Sequence, residues 1–129
     1  MKIGEVMTAN PAIVEVDASL DFIENLMKQG AFSHVPVMSN DRLVGVLSDR
    51  DLALVRAHSP ENVNSLKAKD VMVEFPYHIA PDTGLEEVLK DMIGLRIGSA
   101  IVVDDTNIVG VFTLYDACKV LLKAIADIS

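Results

Sequence analysis

The chain has 129 residues, half of them hydrophobic but only 5% aromatic, and a formal net charge of −8 at pH 7. A chain of this length buries roughly two-thirds of the surface that its unfolded form exposes, enough for one compact domain. The acidic balance argues against nucleic acid and anionic membrane as partners, since both need a basic face. No apolar run approaches the ~18 residues of a membrane span, and the N-terminus has no signal-peptide core. With one cysteine, Cys118, no internal disulfide is possible, so we expect a cytoplasmic protein.

The first half of the chain predicts a strand, a helix, two strands and a second helix. A short apolar segment at 12–16 leads to Asp17-Ala18-Ser19, which are typical helix-start residues. Strands are predicted at 34–38 and 43–47, and the short polar turn between them favours a hairpin. The closing helix begins near Ser48. The first helix is indicated by four apolar residues at helical spacing: Leu20, Ile23, Leu26 and Met27.

The second half repeats this pattern. When the chain is aligned on itself with Val6 opposite Val71, the segment Val6–Leu52 matches Val71–Ala117 without a gap, and 11 of these 47 pairs are identical. We call this match the repeat alignment. The phrases LVGVLSDRDL and IVGVFTLYDA both run through one glycine into a hydroxyl residue, which an aspartate follows three places on. Two copies of one unit are the economical interpretation. We therefore divide the sequence into a first unit at 1–58, a linker at 59–68 and a second unit at 69–129.

A unit with three strands has too little core to be stable alone, so the two units must pack together. Each begins with a valine-methionine pair, Val6-Met7 or Val71-Met72, and each has a glycine-centred hairpin strand before the hydroxyl and aspartate. In these features the chain, from residue 3 to about 125, resembles the cystathionine-β-synthase (CBS) domain pair, also called a Bateman module. The resemblance implies an α/β fold (α+β in some schemes) with two β-α-β-β-α units packed about a pseudo-two-fold axis. It also implies a flat homodimer with apolar helix faces as the interface.

The repeated hydroxyl and aspartate have two interpretations. Ser48 with Asp51, and Thr113 with Asp116, fit the helix capping pattern, which would serve stability alone. The same geometry suits a ligand, because a helix N-terminus with a hydroxyl binds phosphate oxygens and a carboxylate one turn inside can accept two hydrogen bonds from a vicinal diol. The CBS resemblance implies the second role, with the aspartate on ribose and the hydroxyl residue on phosphate.

The resemblance also implies a slot for the base among apolar strand residues and a cationic contact for phosphate. His34 and Arg50 are the phosphate candidates of the first copy, whereas the second copy has Ser99 and Tyr115 at the matching places and Arg96 as a substitute. For each base-slot residue taken singly, core packing is the favoured interpretation. They are Val14, Val35 and Pro36 in the first copy and Ile79, Ala100 and Ile101 in the second.

An enzyme is not expected, because the chain has no nucleophile elbow, no zinc-ligand spacing and no P-loop. The leading hypothesis is a regulatory module, with no required cofactor, that senses an adenosine-containing metabolite (AMP, ADP, ATP or a relative) in clefts between the two units. It would signal to an effector protein by a conformational shift. The alternative is a non-catalytic dimerisation or interaction scaffold whose clefts are empty or hold Mg²⁺. The sequence leaves open the nucleotide, the occupied cleft, the effector and the orientation of the dimer.

Overall fold

The computed structural model describes residues 1–128. Within that range each repeat has one more strand than predicted: the order is strand, strand, helix, strand, strand, helix, with a four-residue helix before the first strand of the second repeat. The predicted mixed α/β class is confirmed. Short 3₁₀ turns lie at Ile3–Glu5 and Val63–Ser65. The strands and helices are β1 (Thr8–Ala9), β2 (Val14–Glu15), α1 (Leu20–Gly30), β3 (His34–Ser39), β4 (Arg42–Ser48), α2 (Asp49–His58), α3 (Ala68–Val71), β5 (Val73–Glu74), β6 (His78–Ile79), α4 (Leu85–Leu95), β7 (Ser99–Asp104), β8 (Asn107–Thr113) and α5 (Leu114–Ile128).

The chain forms two compact units. The central unit is Pro11–Pro76, and the terminal unit joins Met1–Asn10 to the chain from Tyr77 onward. Each unit has one four-stranded sheet, with strand order β2-β3-β4-β5 in the central unit and β1-β8-β7-β6 in the terminal unit. In both sheets a parallel pair adjoins an antiparallel hairpin, as the predicted pattern requires.

The compact units do not coincide with the sequence repeats, because the repeats exchange their first strands. β1 pairs antiparallel with β8, with Thr8 opposite Val111, although β1 begins the first repeat and β8 lies in the second. In the same way β5 pairs with β4, with Val73 opposite Val46. The chain therefore divides near residues 10 and 76 in space, whereas the sequence repeat divides near 58 and 69. Each short strand covers an edge that would otherwise present unpaired backbone groups.

The segment that links the repeats belongs to the central unit. Val63 and Ala68 are buried in the core of that unit. The backbone N–H of Ala68 donates to the carbonyl of Ala18 at 2.9 Å, and that of Lys69 donates to the carbonyl of Val16 at 3.0 Å. Residues 59–68, predicted as a linker, thus contribute core residues and hydrogen bonds to the fold.

The repeated glycine and methionine of the sequence form packed pairs. A Cβ atom at Gly110 of β8 would overlap the side chain of Met7, and one at Gly45 of β4 would overlap that of Met72. Each methionine lies just before an exchanged strand, so its side chain lies over the sheet that this strand completes. Close approach of a large side chain explains why glycine occupies these strand positions.

Local signals fix the ends of the helices and hairpins. The hydroxyl of Ser19 accepts the N–H of Phe22 at 3.2 Å and caps α1. Ala31 ends that helix in the left-handed conformation. The β3–β4 turn has positive φ at both Asn40 and Asp41, which suits a two-residue hairpin. None of the helices described is both long and apolar enough to cross a membrane.

The two cores are aliphatic. The predicted stripe of α1 is confirmed, since Leu20, Ile23 and Met27 are buried and Leu26 packs against them half-buried. The terminal core contains, among others, Ile3, Leu85, Val88, Met92, Ala100, Val102 and Phe112.

Candidate functional site

The strand-to-helix junction of the central unit brings together a hydroxyl and a carboxylate, and a histidine lies opposite the hydroxyl residue in the strand register. The N–H of Asp51 donates to Ser48 Oγ at 3.1 Å, and the N–H of Ser48 donates to Asp51 Oδ2 at 2.9 Å. This reciprocal pair is a capping box at the start of α2. We call Ser48, Asp51 and His34 the Asp51 corner, because His34 lies directly opposite Ser48 in the β3–β4 register.

The predicted phosphate contacts of the first repeat differ in their surroundings. His34 is half-buried and its Nδ1 lies 3.0 Å from the hydroxyl of Ser33. Arg50 is exposed in the first turn of α2, next to Asp51 in the chain. The first repeat therefore has a histidine opposite Ser48 in the strand register and an arginine in the first turn of α2, two residue types that attract anionic oxygens near a helix N-terminus.

The terminal unit repeats the arrangement. At the start of α5 the N–H of Thr113 donates to Asp116 Oδ2 at 2.9 Å, the hydroxyl of Thr113 donates to the same oxygen at 3.3 Å, and the N–H of Asp116 lies 3.4 Å from Thr113 Oγ1. Ser99 lies opposite Thr113, where the first repeat has His34 opposite Ser48. We call Thr113, Asp116 and Ser99 the Asp116 corner.

Two further groups, which the sequence had not indicated, hold Asp116. The hydroxyl of Thr8 donates to Asp116 Oδ1 at 3.0 Å, and Lys119 Nζ lies 3.3 Å from the same oxygen. Lys119 Nζ also lies 4.9 Å from the centre of the Tyr115 ring. Asp116 is only 2% exposed, so its carboxyl group is buried with protein partners on both oxygens.

The two corners differ because the repeats differ at these two positions. In the repeat alignment Val73 matches Thr8, and continuing the alignment without a gap beyond Leu52 places Leu54 opposite Lys119. Neither Val73 nor Leu54 has a side chain that can donate a hydrogen bond. The Asp51 carboxylate therefore lacks counterparts of both contacts. It is also half-buried, whereas Asp116 is buried.

The predicted base-slot residues are mostly core residues. Val14 pairs with Val37 in the β2–β3 ladder, and Ile79 pairs with Val102 in the β6–β7 ladder. Ile79 is half-buried, and the other five, Val14, Val35, Pro36, Ala100 and Ile101, are buried. They lie on the first strand of each hairpin and on the parallel strand beside it, but their burial is already explained by packing.

The second repeat has no cation at the two predicted phosphate positions, which Ser99 and Tyr115 occupy. Arg96 is exposed and ends α4 in the left-handed conformation, with φ at 56°. Tyr115, which matches Arg50, is also exposed. Within residues 1–128, no three His, Cys, Asp or Glu side chains are grouped in a way that could hold a metal ion.

Comparison with known proteins identifies the family. The model of the CBS domain matches this chain twice, at residues 3–58 and 68–123. The chain belongs to the CBS domain family. Its two matches follow the sequence repeat and together make a CBS domain pair.

Curated relatives are similar over most of this chain. MJ1232 of Methanocaldococcus jannaschii is 34% identical over 122 residues, which is 92% of this chain and 37% of that protein. YlbB of Bacillus subtilis is 32% identical over 117 residues, which is 89% of this chain and 78% of that protein. The CBS pair thus spans little more than a third of the first relative and most of the second.

Solved structures share the fold. AcuB of Vibrio cholerae superposes with a TM-score of 0.80 at 27% identity, over 98% of this chain and 93% of the other. CBSX2, solved in complex with AMP, gives 0.80 at 23% identity, over 95% and 97%. The CBS pair of MJ0100, solved with 5′-methylthioadenosine and S-adenosyl-L-methionine, gives 0.84 at 19% identity, over 96% and 98%.

Proposed function

We propose that this CBS domain pair is a regulatory module that binds an adenosine-containing metabolite at the Asp51 corner, the Asp116 corner or both. The observation that carries the proposal is the repeated junction itself, where a hydroxyl and a carboxylate meet at a helix N-terminus beside apolar strands. A ribonucleotide needs these groups, because its diol donates to a carboxylate and its phosphate accepts from helix N–H groups. AMP in CBSX2, and methylthioadenosine and S-adenosylmethionine in MJ0100, are ligands of the matching chemistry.

The proposed roles follow the chemistry of each side chain. Asp51 and Asp116 accept the ribose hydroxyls, which at Asp116 requires the diol to displace Thr8 and Lys119 from Oδ1. Ser48 and Thr113 contact phosphate or the adjacent sugar oxygen, and His34 with Arg50 offsets phosphate charge in a chain of net charge −8. The apolar residues Val14, Val35, Pro36, Ile79, Ala100 and Ile101 hold the base. The Asp51 corner supplies the stronger phosphate contacts, since its counterpart has Ser99 and Tyr115 in place of His34 and Arg50.

Ligand binding is proposed to favour one conformation of the module, which an effector protein recognises. The shift cannot exceed the difference in the ligand's affinity for the two conformations. No catalysis is proposed.

The capping geometry favours a second candidate, a non-catalytic interaction scaffold. Both hydroxyl and carboxylate pairs are already used in capping boxes. A capping box stabilises a helix by about 1 kcal/mol, which is sufficient reason for a duplicated fold to keep it without any ligand.

Titration calorimetry separates the two functions. AMP, ADP, ATP, S-adenosylmethionine and methylthioadenosine are titrated into the full chain and into Asp51→Asn and Asp116→Asn, which keep the size of each side chain. Asp49→Asn and Asp127→Asn are matched controls on the same helices, since both change the charge equally at exposed positions. The sensing module predicts binding that one site variant weakens about tenfold or more, equivalent to the loss of one charge-assisted hydrogen bond. Absence of binding by all five compounds, in protein that is folded by circular dichroism, supports the scaffold.

A further inference from the structure

Both oxygens of the Asp116 carboxylate already have protein partners within the terminal unit. Oδ1 accepts a hydrogen bond from the hydroxyl of Thr8 at 3.0 Å and lies 3.3 Å from Lys119 Nζ. Oδ2 accepts from the N–H of Thr113 at 2.9 Å and from its hydroxyl at 3.3 Å. A carboxylate has about four lone-pair positions, so these donors leave none for a further hydroxyl. A ribose diol can therefore bind Asp116 only by displacing Thr8 and Lys119.

The Tyr115 ring helps to keep Lys119 close to Asp116. Lys119 Nζ lies 4.9 Å from the centre of that ring, which is within the range of a cation–π interaction. The ring and the carboxylate thus attract the same ammonium group, although the lysine side chain is 57% exposed. An ammonium with two partners is harder for a sugar hydroxyl to displace than one with the ion pair alone.

The first repeat differs at all three of these positions. Two of its residues are aliphatic and donate no hydrogen bond, and the third is a cation in place of the aromatic ring. The matching residues are Val73 for Thr8, Arg50 for Tyr115 and, when the alignment is continued beyond Leu52, Leu54 for Lys119. The groups that occupy the Asp116 carboxylate therefore have no equivalent in the first repeat.

The Asp51 carboxylate is correspondingly more open. Its Oδ2 accepts the N–H of Ser48 at 2.9 Å, whereas no group among residues 1–128 donates a hydrogen bond to its Oδ1. The side chain is also half-buried, so a ligand can approach it. A diol that binds Asp51 gains hydrogen bonds to the carboxylate without breaking any that the protein makes to Oδ1.

The three differences all favour one corner over the other. We infer that Thr8, Tyr115 and Lys119 close the Asp116 corner to ribose, and that the chain binds one adenosine-containing molecule, at the Asp51 corner. Asp116 then joins β1 to α5 and does not bind ligand. The inference rests on the proposed function and decides between its two corners.

Titration calorimetry with the five adenosine compounds gives the number of sites as well as the affinity. Wild type is expected to bind one molecule per chain, and Asp51→Asn should weaken that binding about tenfold or more, as for the loss of one charge-assisted hydrogen bond. Two sites per chain, or a site that survives Asp51→Asn, would overturn the inference and leave the proposed function intact. Absence of binding by all five compounds would overturn both.

A closing variant transfers the two donors to the Asp51 corner. In Val73→Thr with Leu54→Lys, the new threonine has the strand register next to Asp51 that Thr8 has in the other sheet. Both positions are exposed, so the variant should fold, and circular dichroism checks this. Its affinity for each compound that wild type binds should fall about tenfold or more. Ala57→Lys adds the same charge at another exposed position of α2 and should leave the affinity unchanged. Unchanged affinity in the closing variant would overturn the inference.

An opening variant makes the reverse exchange. Thr8→Val with Lys119→Leu should bind a second molecule of methylthioadenosine, a nucleoside that needs no cation for phosphate. Lys123→Leu removes the same charge from another exposed position of α5 and should still bind one molecule. If the opening variant is folded by circular dichroism and also binds only one, Thr8 and Lys119 do not exclude the diol and the inference is overturned. If it does not fold, the closing variant decides.

Discussion

The hydroxyl of Thr8 donates to Asp116 Oδ1 at 3.0 Å, across a separation of 108 residues in the chain. Both residues belong to the terminal unit, because β1 is paired with β8 just before Thr113 and α5. The contact thus joins the first strand of the chain to its last helix. Thr8 and Lys119 both contact Oδ1 of Asp116, and these two contacts explain how the fold accommodates an aspartate that is only 2% exposed.

Removing the Thr8 hydroxyl should destabilise the fold. Thr8→Val leaves Asp116 Oδ1 with Lys119 as its partner, and the lost hydrogen bond to a buried charged group should lower the free energy of unfolding by about 1.5–3 kcal/mol. Urea denaturation monitored by circular dichroism measures this change. Thr106→Val, at an exposed turn position of the same unit, is the matched control and should change stability by less than about 0.5 kcal/mol. Equal effects of the two substitutions would mean that the Thr8 contact contributes nothing.

The packed pair of Met7 and Gly110 predicts that two glycine-to-alanine substitutions change the free energy of unfolding in opposite directions. Gly110→Ala places a Cβ where the Met7 side chain lies and should lower the free energy of unfolding by about 1–3 kcal/mol. Met7→Ala in that background should restore part of the loss, which a double-mutant cycle measures.

Gly94→Ala is the control for this prediction. Gly94 lies within α4, and an added Cβ would meet nothing within 4 Å. The substitution should therefore stabilise the helix by about 0.5–1 kcal/mol, opposite in sign to Gly110→Ala. A stabilising Gly110→Ala would contradict the packed pair.

The sequence predicted the parts of the fold that local chemistry decides. The helical stripe of α1, the hairpins with their short turns and the helix starts at Ser48 and Thr113 all follow from spacing and from residue type within a few positions. The repeat added the second copy of each. These elements form as predicted because nothing distant competes with the local preference.

Distant pairing was not predictable in the same way. β1 and β5 have two residues each, too few to show a hydrophobic periodicity, and the strand that each pairs with lies in the other repeat. The contact of Thr8 with Asp116 depends on that exchange, and the contact of Lys119 depends on one turn of helix. The sequence patterns indicated neither residue. The ligand roles assigned to both corners stay predictions.

The ion pair of Arg56 and Glu24 predicts an acid-sensitive contribution to stability. The hydrogen bond from Arg56 holds the pKa of Glu24 below its ordinary value, with Lys28 adding to the effect and partial burial opposing it. A carboxyl whose pKa is lower in the folded state stabilises the protein above its unfolded pKa of about 4.3, and this stabilisation is lost as pH falls through the folded value.

Glu24→Gln tests this pH dependence. The variant should be less stable than wild type at pH 7, and the difference should vanish as the pH is lowered through and below that range, as followed by thermal unfolding at a series of pH values. Glu61→Gln, at an exposed position in the segment between the repeats, should run parallel to wild type throughout. A difference for Glu24→Gln that persists unchanged at low pH would assign its effect to packing instead of charge.

Phe75 allows a comparison of backbone strain between the two repeats. It adopts φ of 56° with its side chain 91% exposed, while Asn10, its match in the repeat alignment, adopts φ of 54°. Asparagine tolerates this left-handed conformation, whereas for a bulky residue it costs roughly 1 kcal/mol in steric strain. Phe75→Asn should therefore raise the free energy of unfolding by about 0.5–1 kcal/mol, and Asn10→Phe should lower it by a similar amount, both measured in urea. A loss of stability on Phe75→Asn would show that the phenyl ring has a partner in solution that outweighs its backbone strain.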